Sequence, residues 1–437
     1  MPISCFGAPG ECLAAPRRAA PRVSARTHTL HLTALAFVLA ATGLASNPAR
    51  ALEFGEALDL AEQHSPRITA LRLQIDAASS AQKSAGTLPD PKLSVGLENF
   101  PISGMDRFSL SRESMTMQRL ALMQEVPNRA KRDAQIAGAQ ARVARESAAL
   151  ASQRLALRQE LSQAWILAQA IEQRDELLAE MLTQNQRLQD TMAVRIAGGS
   201  AAAGDLLVAR QEALALADRR DDLQRDRARA RSALRRWVGT RATEQLQGAP
   251  GPLSRTVEQL RSEVSRHAEI AQYPAMQAMA LADVREAQAQ ASGDWSWEIA
   301  YSRRARQWGD MVSFQVTFDL PWQQERRQAP QTRAKQIELQ RLEAEQEDLT
   351  RKHLQELDDG AAELAALDSQ IERLQSSGMK LAQGRAELAL SSYQAAKGDV
   401  GAVLAARTQV LETQMRLIDL QAQRNAVIAR LNSLIAD

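Results

Sequence analysis

Cysteine and histidine are scarce in this chain, two and five among 437 residues, which leaves little material for zinc, haem or thiol chemistry. Aromatic residues make up 4%, and glycine (21) and proline (15) are below ordinary usage. What remains is dominated by Ala, Arg, Gln, Glu and Leu, a composition of long helices more than of an α/β enzyme. No nucleophile–base pair, glycine-rich phosphate loop or paired-carboxylate spacing stands out. The chain is therefore expected to be no enzyme and to carry no cofactor. Length by itself suggests two or three domains.

The first 51 residues read as an export signal. Arg17, Arg18, Arg22 and Arg26 precede an apolar stretch from Leu30 to Ala45, and Ala49-Arg50-Ala51 offers a small-residue cleavage site. A retained anchor helix is the alternative, but the run is shorter than the ~20 residues that span a bilayer. Five arginines and one glutamate leave with this leader, which takes the formal charge from +2 to −2. That removes the basic footprint of a nucleic-acid binder. Cys5 and Cys12 leave too, so the mature chain has neither a disulfide nor a cysteine metal site. No later segment reaches 18 apolar residues, so no later helix is expected to cross a membrane. The predicted product is exported and is not an inner-membrane protein.

Two stretches are free of proline over unusual lengths. Asn128–Ala197 would reach roughly 105 Å as one helix at 1.5 Å per residue. Gln331–Lys397 is similar, with Gly360, Gly378 and Gly384 as weak spots. Helices of this length call for coiled-coil-like packing. Each ends at a small-residue break and is followed by a second helix, Asp205–Val238 and Val403–Ile435, which makes two helical hairpins. The hairpins align with each other at an offset of 197: Ile196-Ala197-Gly198-Gly199 with Tyr393-Gln394-Ala395-Ala396, and Asp205-Leu206-Leu207 with Ala402-Val403-Leu404. Upstream, Glu125-Val126-Pro127 answers Asp319-Leu320-Pro321, and His64-Ser65-Pro66 more loosely answers His267-Ala268-Glu269. One unit is duplicated, 52–251 and 252–437.

Each unit carries a strand pair before its long helix, at 92–126 and 295–320. In the second, Val312, Phe314, Val316, Phe318 and Leu320 alternate with polar residues, as do Trp295, Trp297, Ile299 and Tyr301. In the first, Leu93, Val95 and Leu97 alternate, and Met115–Val126 is the return strand. An ordinary sandwich sheet shows the same alternation. The segments also have the length of tilted strands in an outer-membrane barrel. Four strands cannot close a barrel, and lipid does not tolerate an open sheet edge. Three copies would give twelve strands around a lumen, with twelve long helices closing a tube below it.

Over essentially all of 52–437 the chain resembles the TolC family of outer-membrane efflux channels. The resemblance rests on Ala57-Leu58-Asp59-Leu60-Ala61 with His64-Ser65-Pro66, the two strand-pair-plus-proline units, and the tip at Gly199 with Asp205-Leu206-Leu207. Pro89-Asp90-Pro91-Lys92-Leu93 through Phe100-Pro101, Met115-Thr116-Met117 and Gln124-Glu125-Val126-Pro127 look closest to the family's heavy-metal branch. The resemblance implies a mainly α fold with a membrane β-barrel: a homotrimer with a 12-stranded barrel in outer-membrane lipid and a periplasmic α-helical tunnel. It implies two partners, a periplasmic adaptor (membrane fusion) protein and an inner-membrane resistance-nodulation-division pump, and cations such as cobalt, zinc or copper as cargo.

It also assigns residues. Gly199 and Ala396 stand where family members dock the adaptor, Ala396 in place of the usual glycine. Asp205 and Tyr393 stand at the positions of a gate latch. The pore's aspartate ring should fall near Ala402 and Ala405, which are not acidic; Asp399 is the nearest carboxylate. Met115 and Met117, with Met105 and Met123, are soft donors for which packing is the expected role. His64, His267 and His353 look scattered, solvated or capping, so no metal site is assigned. Alternatives of other kinds are an organic-compound channel of the same family, a periplasmic adaptor, a secreted helical scaffold and an envelope hydrolase.

Overall fold

The computed structural model describes residues 51–199, 201–395 and 397–434. The expected leader therefore lies outside the described residues except for Ala51, and Ala396 lies outside them as well. The chain opens with β1 (Leu52–Glu53), α1 (Phe54–His64) and α2 (Pro66–Gln82). Pro66 sits at the start of α2, where its missing N–H costs no bond, and the Ser65 hydroxyl accepts from the Ile68 N–H. β2 (Lys92–Glu98) and β3 (Met117–Val126) lead into α3 (Arg129–Ala197) and α4 (Ala203–Val238). β4 (Leu246–Gln247), α5 (Val257–Ser262) and α6 (Tyr273–Ala289) precede β5 (Trp295–Arg303) and β6 (Met311–Phe318). α7 (Gln328–Arg373), α8 (Met379–Gln394) and α9 (Val400–Asn432) complete the order.

The 69 residues of α3 extend about 104 Å at 1.5 Å per residue. No helix among the described residues is long and apolar enough to cross a membrane. What stabilises helices of this length is a seam at seven-residue spacing. Ile171, Leu178 and Met192 of α3 face Ala209, Leu216, Leu223 and Ala230 of α4, and all of them are buried. Three apolar clusters result: one around Trp165, Leu161 and Leu234 near α1, one joining Leu357, Leu367, Leu420 and Val427 of α7 and α9, and one at the hairpin tips. The Trp165 indole N–H donates to the Gly248 carbonyl at 3.0 Å, so β1 and β4, paired in parallel, are held against α3.

Several details differ from the sequence reading, among them the starts of α4 at Ala203 and of α9 at Val400, each two or three residues ahead of the expected Asp205 and Val403. α7 begins at Gln328, ahead of the expected Gln331, because Pro330 falls in the first turn where backbone N–H groups have no partner. Its path to α8 passes through a wider π turn, Leu374–Gly378, at one of the three glycine weak spots. Leu320 lies beyond the end of β6. The return strand starts at Met117, so Met115 sits in the preceding turn and does not share a strand face with Met117 and Met123.

The four long strands form one antiparallel sheet in the order β2-β3-β5-β6. The link from sheet to helix is built at Asn128, the N-cap of α3. Its side chain accepts from the Lys131 N–H at 2.9 Å and donates to the Ala289 carbonyl, while its own N–H donates to Asp294 Oδ1 at 2.8 Å. Lys131 Nζ reaches Asp294 Oδ2 at 2.8 Å. Burial pushes the Asp294 carboxyl up, but the Lys131 ammonium and the Asn128 donors outweigh it and hold the group below its ordinary value. Gly293, with φ +68°, packs so close to the Asp319 carbonyl that a Cβ there would lie 2.2 Å from the oxygen.

Candidate functional site

Register decides what the sheet can do. Leu93, Val95, Leu120, Leu122, Ile299, Tyr301, Val312, Phe314 and their strand neighbours fall on one face. Alternation by two puts Lys92, Glu98, Arg119, Glu125, Glu298, Gln315 and Thr317 on the other. The apolar face is bare: Val95 is 78% exposed, Val312 73% and Phe314 67%. A contiguous apolar surface of this size marks contact with a membrane or another protein. Aromatic groups stand at both of its ends, Trp295, Phe318 and Trp322 toward the helices and Tyr301 and Trp308 toward the loops. The polar face is cross-linked by Arg119, which donates to Glu98 at 2.6 Å and also binds Glu298. Lys92 pairs with Glu125 at 2.5 Å. Met117 and Met123 lie on this polar face, whereas Met115 and Met105 are exposed in the loop. β2 and β6 are unpaired on their outer edges among the described residues.

The hairpin tips gather Met192, Ala209, Tyr393, Val400, Val403 and Leu404 into one cluster. Gly199 adopts φ +71°, and among the described residues, its chain neighbours aside, no atom lies within 4 Å of where a Cβ would be. Asp205 lies in the first turn of α4 and is partly exposed. Tyr393 is buried under the Arg195 guanidinium, 5.0 Å from the ring centroid, and its hydroxyl has no hydrogen-bond partner among the described residues. Tyr393 and the helix bearing Asp205 therefore meet at one end of the chain without a bond between the two side chains. Asp399, the nearest carboxylate to the expected pore ring, caps α9 by accepting from the Ala402 N–H at 2.7 Å.

The histidines require a correction. His64 is exposed, with Nδ1 3.0 Å from the Leu60 carbonyl. His267 and His353 are neither scattered nor solvated: both are buried, and their rings stack at 3.6 Å with 26° between planes. His353 Nδ1 lies 2.9 Å from Glu356 Oε2, and its Nε2 lies 3.1 Å from Glu269 Oε2. His267 Nδ1 accepts from the Glu269 N–H at 3.2 Å. Burial, helped by the neighbouring His353, lowers the His267 pKa to about 4. No local pattern in the sequence marks this pair, because only the fold of the segment before α6 against α7 brings the rings together.

Residues 57–240 match the family model of outer membrane efflux proteins, whose members are transport proteins without catalytic activity. No curated protein matches the chain at a significant level. Among solved structures, CusC aligns with a TM-score of 0.73 at 15% identity, covering 88% of this chain and 92% of that one. The outer membrane protein VceC of Vibrio cholerae gives 0.72 at 20%, covering 87% and 95%. The outer-membrane channel OprN gives 0.73 at 15%, covering 87% and 89%. The chain has the fold of an outer-membrane efflux channel. That fold joins a β-barrel to a periplasmic helical tunnel.

Proposed function

We propose that three copies of this chain close a twelve-stranded barrel in the outer membrane, continued by a periplasmic tunnel of long helices. The assembly is the exit duct of a tripartite efflux system, passively conducting heavy-metal cations delivered by a resistance-nodulation-division pump through its periplasmic adaptor. The observation that carries this reading is the sheet: an exposed apolar face, a charged opposite face, and two open edges that lipid does not tolerate unpaired. Joining β6 of one copy to β2 of the next removes every edge. The duplication into 52–251 and 252–437 belongs to the same reading. Each unit then supplies one strand pair, β2 with β3 or β5 with β6, and one hairpin, α3 with α4 or α7 and α8 with α9.

In this proposal Gly199, and Ala396 at the other tip, receive the adaptor's helical hairpin. The open space around Gly199 supports this assignment. Asp205 and Tyr393 act as the gate latch, the unpaired Tyr393 hydroxyl being free to bond Asp205 when the tips close. The heavy-metal cargo rests on the resemblance of segment 89–127 to the metal branch. Met117 and Met123, soft donors on the polar face, agree with it. Deleting the gene and comparing growth on zinc, cobalt, copper and detergents tests the cargo. Sensitivity to metals is expected; sensitivity to organic compounds only would assign the duct to the organic-compound channels instead.

A further inference from the structure

We propose that His267, Glu269 and His353 form a binding site for a divalent transition-metal cation of the zinc class, which fastens the segment before α6 onto α7. Donor atoms of the three side chains all lie within 4.8 Å of one another. Two imidazoles and a carboxylate are the ligand types that zinc, cobalt and nickel favour. His353 Nε2 and Glu269 Oε2 are 3.1 Å apart. Two ligands held on one tetrahedral zinc at ~2.0–2.1 Å stand about 3.3 Å from each other, so the spacing of these two suits a shared ion, and the His267 ring, stacked on His353 at 3.6 Å, would tilt away to present its own nitrogen to it.

The hydrogen bonding leaves a place for that ion. A neutral imidazole has one N–H, yet both nitrogens of His353 face carboxylate oxygens, Glu356 on one side and Glu269 on the other. If the N–H goes to Glu356, the arrangement by which a carboxylate commonly orients a metal-binding histidine, then the Nε2 lone pair points at an anionic oxygen. A second ring proton fits on the line between them, and a cation ~2.0–2.1 Å from both atoms would sit beside that line. A second proton would place an imidazolium against the stacked His267 ring. A cation would instead draw on His267 as well, replacing the long 3.2 Å contact from the Glu269 N–H to Nδ1.

The surroundings favour a cation. The cluster opens onto a cavity of about 450 Å³ that is also lined by Glu356, Asp359, Glu363, Lys352 and Arg430. Together with Glu269 the carboxylates outnumber the two basic groups, and the cavity has room for a water as a further ligand. The site is independent of what the duct carries and stands or falls separately from the cargo.

The test uses the full-length protein extracted in detergent, stripped with a chelator and titrated with Zn(II) and Co(II). One ion per chain is expected to survive gel filtration, with a visible Co(II) ligand-field band and a higher melting temperature when zinc is present. H267Q and E269Q should each weaken binding at least ~10-fold, and E356Q, which removes the partner that orients His353 and one of the cavity carboxylates, by about 10–100-fold. Glu269 is half exposed, so E269Q keeps the test valid if a histidine variant fails to assemble. No stoichiometric binding by the unmodified chain, or variants that bind as tightly as it does, would overturn the proposal and leave a proton between His353 and Glu269.

Discussion

At the scale of single residues, the junction between sheet and helix is the most constrained place in the molecule. Gly293 combines a left-handed backbone with a near-contact to the Asp319 carbonyl. Gly309 has nearly the same φ, +67°, but open space around it. G293A should therefore cost about 2–4 kcal/mol, strain plus displacement of backbone, and G309A only about 1 kcal/mol. Melting of the detergent-extracted protein followed by circular dichroism compares them, and equal shifts would contradict the packing described. Asp294 adds a pH dependence. Its folded pKa lies below the ordinary 3.8, so its stabilising effect is complete above that value and is lost as the pH falls through the folded pKa. D294N should flatten the acid limb of a stability-versus-pH curve below about pH 4; an unchanged limb would mean that the Lys131–Asp294 contact contributes nothing.

At the scale of elements, the strands and the long helices carry their structure in their own periodicity. Val312 to Phe318 alternates strictly, and that segment is β6 with its odd and even positions on opposite faces. The proline-free run from Asn128 is α3 from the next residue on, with Asn128 as its N-cap. Met115 was misplaced because the return segment alternates poorly, and the turn before Met117 has no glycine or proline to mark it. The histidine pair was hidden for a different reason: its contacts join distant parts of the chain, and no local pattern encodes a tertiary stack. Gly199 and Asp205 are legible as tip residues, but whether Tyr393 bonds Asp205 depends on the position of whole helices. The two faces of β6 give a direct prediction. F314R, on the apolar face at mid-strand, should destabilise the membrane-inserted form by about 2–4 kcal/mol, while S313R on the polar face should be tolerated. The yield of folded protein in outer membranes measures both, and equal yields would mean that the apolar face does not meet lipid.

For the whole molecule, the single chain leaves two things unsatisfied: the outer edges of β2 and β6, and an apolar face that stays exposed. In the proposed assembly helical tunnel and barrel wall come from one chain, so the same symmetry completes both. Closure by three identical copies meets each requirement at once, because the contact between neighbouring copies repeats until the ring closes. In the proposed assembly conduction is passive, with the driving energy supplied by the partner pump. The most direct test is the native mass of the protein extracted in detergent from isolated outer membranes. The account predicts three chains per particle. A monomer, or recovery of the protein in the soluble periplasmic fraction, would contradict it and would make the four strands an ordinary sheet.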